Sequence, residues 1–295
     1  ILPRSKVYEE LGDQIAQCLA AAKKYGIEVH VWKVNYNLQH HAPRKFVEEL
    51  HRQGRTQVSV HGRPKDWLCP SHPDNLKLEA ESMVEVVRKY DVDGLHFDYI
   101  RYPDGNHCYC DGCRARFEAA SGKKVANWPD DCHRGDRRKE YLEWLAEQIT
   151  RLVTTVAKRA KAIRKDVKIS AAVFGSYPSC RTSVGQDWVR WAKSGYVDFL
   201  CPMDYTASDM SFQALINNQL RLLDGCVPIY PGIGATATGI SLTPAQVVGQ
   251  VNHSRKLCTG GFTIFNLGGK TAESIVEGFG LGAGKRRAKL PHAHK

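Results

Sequence analysis

Apolar and polar positions along this chain switch repeatedly between two periods, the two-residue alternation of a strand and the 3.6-residue stripe of an amphipathic helix. The first clear case is the helical pattern from Asp13 to Tyr25, closed by Gly26 and followed by the β-branched, alternating run Ile27 to Val34. A second helix, Asp74 to Tyr90, crowds Leu76, Leu78, Met83, Val84, Val86 and Val87 on one side and leads to the strand Gly94 to Asp98. An irregular excursion rich in Gly, Asp, Cys and Pro then runs from Tyr99 to about Lys139. The pattern resumes with helix Tyr141 to Arg164 and strand Val167 to Phe174, then helix Gln186 to Ser194 and strand Val197 to Met203. Helix Phe212 to Leu223 precedes strand Val227 to Gly232. Helix Thr243 to Leu257, opened by Pro244 at a first-turn position, precedes strand Gly261 to Phe265. A last helix is expected from Thr271 to about Phe279.

Six strands therefore alternate with helices, and several are short and almost continuously apolar, as parallel strands covered by helices are. A doubly wound sheet would fit the count, but no strand runs into Gly-x-Gly-x-x-Gly at a helix start. The nearest match, Gly232-Ile233-Gly234, lacks the third glycine and comes late. Polar residues gather instead just after the strands: Asn35 and Asn37, Asp98 and Arg101, Asp204 and Tyr205, Asn266. That convergence on the carboxyl ends of parallel strands points to a (β/α)8 TIM barrel with its site at that face.

Composition changes this picture little. The chain has 295 residues, 42% hydrophobic and 25% charged, which excludes a disordered, collagenous or coiled-coil protein. No apolar run is long enough to span a membrane, and Ile1-Leu2-Pro3-Arg4 does not open a signal peptide. The net charge of +11 invites a nucleic-acid partner. Nearly half of it, however, sits in a Gly-rich tail, residues 280–295, on Lys285, Arg286, Arg287, Lys289 and Lys295. The rest is spread over helices without interleaved exposed aromatics, so no nucleic-acid partner is expected.

Ten cysteines are many for a reducing compartment. Cys108, Cys110 and Cys113 form a Cys-x-Cys-x-x-Cys cluster, with Cys132 downstream in the same excursion and Cys69 in another loop. They suit either a structural zinc, with Cys132, Cys69 or His107 as the further ligand, or disulfides. Cys18 and Cys201 read as small buried hydrophobes.

The richest stretch is Asp91 to Pro103. Residues two apart in a strand share a face, so if Asp98 points into the mouth of the barrel, His96 lies beneath it and Phe97 packs against helices. Cys201-Pro202-Met203-Asp204-Tyr205 repeats the logic, with Asp204 emerging after an apolar run. Two carboxylates facing one cavity are what glycoside hydrolysis needs, and the more buried one donates the proton. Lys33, Asn35, Arg101 and Asn266 are candidates to bind hydroxyls or an anionic substituent. Trp32, Trp67, Tyr99, Tyr102, Tyr205, Tyr230 and Phe265 lie at or near strand ends, about half of them expected in the core, with Tyr102 and Tyr205 best placed for substrate. His72, between prolines, orders its loop. A rival scheme has His96 and Asp98 binding a catalytic metal with His30 or His72; another is a barrel that binds carbohydrate without cleaving it.

Within that stretch, Asp93-Gly94-Leu95-His96-Phe97-Asp98-Tyr99-Ile100-Arg101-Tyr102-Pro103 resembles the signature of the bacterial glycosyl-hydrolase-10-like family. Supporting matches are Gly26 to Trp32, Trp67-Leu68-Cys69-Pro70-Ser71, Arg114 to Glu118 and Asp198 to Tyr205, so the similarity runs from the first residues to about Phe279. The resemblance implies a carbohydrate-active barrel, usual in exported bacterial proteins of the extracellular space or cell envelope, acting on a poly- or oligosaccharide with no catalytic cofactor.

On that alignment Asp98 closes the fourth barrel strand and Asp204 the sixth. Related sugar-cleaving barrels place a nucleophile and an acid there, which makes Asp98 the nucleophile or stabiliser and Asp204 the acid/base. No Glu follows any of the six strands, so substrate-assisted cleavage of an N-acetylated sugar stays open. The six strands become strands three to eight of a barrel over residues 1–279, with residues 99–140 inserted after the fourth. The first two strands, on the order of 70 residues, are then expected outside this chain.

Overall fold

The computed structural model describes residues 6–285 except 40, 41, 238, 267, 269–272, 274, 277, 280 and 281. Eight strands occur among the described residues: β1 (His30–Val34), β2 (Thr56–Val58), β3 (Pro64–Leu68), β4 (Gly94–Asp98), β5 (Lys168–Phe174), β6 (Phe199–Met203), β7 (Gly232–Gly234) and β8 (Thr263–Phe265). β1, β4, β5 and β6 pair in that order, all parallel, with His30 opposite Gly94, Gly94 opposite Lys168, and Ser170 opposite Phe199. Parallel bridges from Leu200 to Ile229 and from Ile229 to Gly260 carry the order onward, and β7 pairs parallel with β8. The expected α/β alternation of parallel strands and helices is therefore present, and the carboxyl ends of these six strands share one face.

The core forms where the outer face of the sheet meets the helices. Leu95 and Phe97 of β4 and Ile169, Ala171 and Val173 of β5 are fully buried, which follows from the two-residue period. They pack with Met83 and Val87 of the helix Pro73–Lys89 and with Ile149, Leu152, Val153 and Val156 of the long helix Arg138–Ile163. The sheet curls, bringing the Trp32 ring of β1 to 6.3 Å from Phe265 of β8, at the opposite end of the strand order. At the β1 edge, Ile27, Trp32 and Val34 are exposed, and the helix Gln14–Tyr25 buries no side chain.

Several elements depart from the sequence expectation. β2 and β3 form an antiparallel hairpin between the first two parallel strands, bridged to the end of β1 through Asn37 and Trp67. Within the excursion after β4 lie the helices Asp111–Ser121 and Asp130–His133. Cys18 is exposed rather than buried, because it stands on the helix that buries no side chain. Of the last expected helix, Thr271 to Phe279, the described residues Glu273, Ile275, Val276, Gly278 and Phe279 are helical, and the basic tail 280–295 falls largely outside the described residues.

Candidate active site

Where the parallel strands end, a cavity of about 480 Å3 is lined by Trp32, His96, Asp98, Tyr99, Arg101, Phe174, Met203, Tyr205, Phe265 and Asn266, with Ala172, Cys201, Gly232 and Thr263 completing its wall. Strand parity selects them: His96 and Asp98 on β4, Ala172 and Phe174 on β5, Cys201 and Met203 on β6. Asp98 is the one carboxylate among the described lining residues. It is 7% exposed, and the Tyr99 N–H donates to its Oδ1 at 2.7 Å. Burial raises its pKa, while the Tyr99 N–H, the Arg101 charge and the Trp32 side chain hold it down.

Tyr99 has φ +51°, a left-handed conformation that costs a non-glycine residue roughly 1–2 kcal/mol. That turn puts Tyr99 and Arg101 both on the cavity. The Arg101 guanidinium carbon lies 4.5 Å from the Tyr99 ring centre and 4.8 Å from that of Phe174, held between two aromatic faces. Beneath Asp98, His96 Nδ1 shares a 2.8 Å hydrogen bond with Ser170 Oγ. Burial, helped by the charge of His30, lowers its pKa to about 4, so the ring is neutral near pH 7. On the far wall Tyr205 stacks on Phe265 with ring centres 5.6 Å apart. Gly232 permits that stack, since a Cβ there would come 2.8 Å from both Tyr205 Cε1 and the Pro202 carbonyl oxygen.

His96, Asp98, Arg101, Tyr205 and Asn266 are thus brought together as expected. The others are not. Asp204 lies on the opposite side of its strand end from Cys201, Met203 and Tyr205, so it turns away from the cavity. Its Oδ1 accepts from Gln219 Nε2 at 2.7 Å, and a Cβ on Gly175 would come 2.0 Å from that oxygen. Burial pushes its pKa up to about 7, against the pull of the Gln219 amide. Lys33 and Asn35 likewise face away from Trp32: Lys33 Nζ and Asn35 Nδ2 each donate to Glu79 Oε2 at 2.7 Å, tying β1 to the helix Pro73–Lys89. Tyr102 is fully buried, its backbone bonded to Val184, and Tyr230 packs against Phe199 at the start of β6. Both serve the core.

His72 accepts from the Asp74 N–H at 3.2 Å and caps the helix it precedes. Among the described residues, the one cluster of metal-ligand type is Cys69, Cys108, Cys110 and Cys113, so no third ligand joins His96 and Asp98 there. Of the three further ligands considered, Cys69, delivered at the exit of β3, joins the cluster, while Cys132 sits in the separate helix Asp130–His133. Sequence reasoning misses Phe174, although strand parity from Ser170 marks it. It finds Tyr99 as an aromatic, but the turn there has no local sequence signal.

An aromatic-walled cleft with a carboxylate and a guanidinium at the carboxyl ends of parallel strands lies where α/β barrels place their active sites. The chain belongs to the glycosyl hydrolase-like 10 family, whose model matches residues 2–229. It is 26% identical over 238 residues to an S-layer-related protein of Niallia circulans, covering 68% of this chain and 14% of that protein. It is 22% identical to glycosyl hydrolase YngK of Bacillus subtilis, covering 65% of this chain and 39% of the relative. With glycosyl hydrolase DigH of Escherichia coli K12 the identity is also 22%, over 69% of this chain and 49% of the relative. The chain thus spans half or less of these relatives. Among solved structures it resembles the PgaB (BpsB) glycoside hydrolase domain of Bordetella bronchiseptica, with TM-score 0.68, 15% identity, and coverage of 87% of this chain and 75% of that one. It also resembles the Gan42B β-galactosidase of G. stearothermophilus, with TM-score 0.62, 10% identity, and coverage of 89% and 44%. These neighbours are glycoside hydrolase domains of TIM-barrel type. Among the described residues no helix is long and apolar enough to cross a membrane.

Proposed function

We propose that the protein is a glycoside hydrolase cleaving O-glycosidic bonds in a poly- or oligosaccharide, with Asp98 as the carboxylate that acts on the sugar. The observation that carries this reading is the cavity itself, in which Asp98 and Arg101 stand among Trp32, Tyr99, Phe174, Tyr205 and Phe265. Aromatic faces suit the apolar faces of sugar rings, and the polar groups suit their hydroxyls. Burial that raises the pKa of Asp98 favours its service as proton donor to the leaving oxygen. Asp204 then acts through the strand end it anchors rather than on substrate, and Asn266 and His96 contact the sugar. With one carboxylate on the described wall, cleavage assisted by the 2-acetamido group of the substrate is the version we favour.

In this reading the six parallel strands β1, β4, β5, β6, β7 and β8, with the helices that cover them, form one catalytic unit. An extracellular or envelope location accords with the S-layer-related relative. The test is Asp98→Asn on a panel of N-acetylated and neutral oligosaccharides. A loss on the order of 10³ in kcat, with the circular dichroism unchanged, is expected. Near-normal turnover by the variant would sink the assignment. Binding without turnover by the unaltered protein would replace hydrolysis with carbohydrate recognition.

A further inference from the structure

We propose that Cys69, Cys108, Cys110 and Cys113 form a zinc-thiolate site that clamps the excursion after β4 to the exit of β3. The four Sγ atoms all lie within 4.8 Å of one another, and all four residues are buried. A tetrahedral zinc with bonds of about 2.3 Å requires sulfurs about 3.8 Å apart. Cys69 Sγ lies 3.5 Å from that of Cys113 and 3.9 Å from that of Cys110, on either side of that value. Disulfides need sulfurs only in pairs, whereas here each of the four lies near all the others. An all-sulfur set selects a soft or borderline ion and disfavours magnesium or calcium.

The surroundings suit thiolates. The Val58 N–H donates to Cys108 Sγ at 3.4 Å, and the Cys113 N–H donates to Cys110 Sγ at 3.3 Å. Ser71 Oγ lies 3.2 Å from the sulfurs of both Cys69 and Cys113. Arg116 Nη2 donates to Cys69 Sγ at 3.8 Å while its Nε donates to Ser71 Oγ at 3.0 Å. Four thiolates around one dication leave a net double negative charge. The Arg116 guanidinium and the amino end of the helix Asp111–Ser121, which Cys110 caps, both oppose it. Such an ion ties the exit of β3 to the loop at Cys108 and to the first turn of that helix. It also fixes the far end of the segment that begins at Tyr99 and carries Arg101.

The test is elemental analysis of the full chain purified without added metal, followed by cobalt substitution. About one zinc per chain is expected, and the cobalt form should show the intense visible bands of a tetrahedral thiolate site. Zinc should protect four thiols from alkylation until a chelator removes it under denaturing conditions. Cys69→Ser should lose most of the bound metal while Cys132→Ser keeps it. Should Cys69→Ser fail to fold, the alkylation pattern of the unaltered chain, read by peptide mapping, decides the ligands. Zinc-free protein that takes up no cobalt, disulfides among the four cysteines, or protection of Cys132 in place of Cys69 would each overturn the proposal.

Discussion

Replacing Asp204 by Asn tests both where this carboxyl points and what its burial costs. Asp204 is 0% exposed, and its Oδ2 has no hydrogen-bond partner among the described residues. Its pKa is raised from 3.8 to about 7 in the folded protein. Below pH 3.8 the carboxyl is protonated whether the chain is folded or unfolded. Between 3.8 and about 7 the unfolded chain releases the proton while the folded chain keeps it, so stability falls as pH rises. The slope is about 1.4 kcal/mol per pH unit, which amounts to about 4 kcal/mol across the window, and stability stays at the lower level above it. Asn removes the titration but buries an N–H without a partner, at about 1 kcal/mol. Asp204→Asn is therefore expected to cost about 1 kcal/mol at pH 4 and to stabilise by about 3 kcal/mol at pH 8. Thermal unfolding followed by circular dichroism should show a rise of about 6 °C or more at pH 8. Glycan turnover should survive within tenfold. A stability difference independent of pH would refute the burial argument. Loss of turnover beyond a hundredfold in a stable variant would put Asp204 back on the substrate.

Other substitutions separate site from scaffold. Arg101→Leu removes a cation that holds the Asp98 pKa down, so the limb of the pH–rate profile governed by Asp98 should move to higher pH. Arg101→Lys, which keeps a cation there, should hold the profile near that of the unaltered protein, and an unmoved profile in Arg101→Leu would uncouple the two residues. Glu79→Ala strips the shared acceptor from Lys33 and Asn35. It should destabilise the fold by about 2–3 kcal/mol, less than a fully buried pair because Lys33 keeps a quarter of its side chain in water. KM should be unchanged in denaturant-free assays; a raised KM with normal stability would show that Lys33 and Asn35 serve the substrate. Gly232→Ala pushes a Cβ against Tyr205 and should raise KM more than it lowers kcat, as steady-state kinetics on a cleaved glycan will show.

How far the sequence could be read depended on the range of the interaction. The alternation of strands and helices was legible because burial on one face writes a short period into neighbouring residues. Parity then placed His96 and Asp98 on the cavity and Phe97 in the core. The same rule, applied to β6, would have turned Asp204 away from Met203 and Tyr205. The hairpin β2–β3 escaped notice because its strands are short and its outer residues polar.

What the sequence determined by itself was local: the order of the elements, the faces of each strand, the aspartate at the end of β4, and the cysteine spacing of the excursion. The tertiary structure decided which distant residues meet. Glu79 reaches Lys33 and Asn35 across more than forty residues, Gln219 takes Asp204, and Cys69 rather than Cys132 joins Cys108, Cys110 and Cys113. No periodicity encodes such pairs, because they arise when helices and loops close over the sheet and each buried polar group must find a partner there.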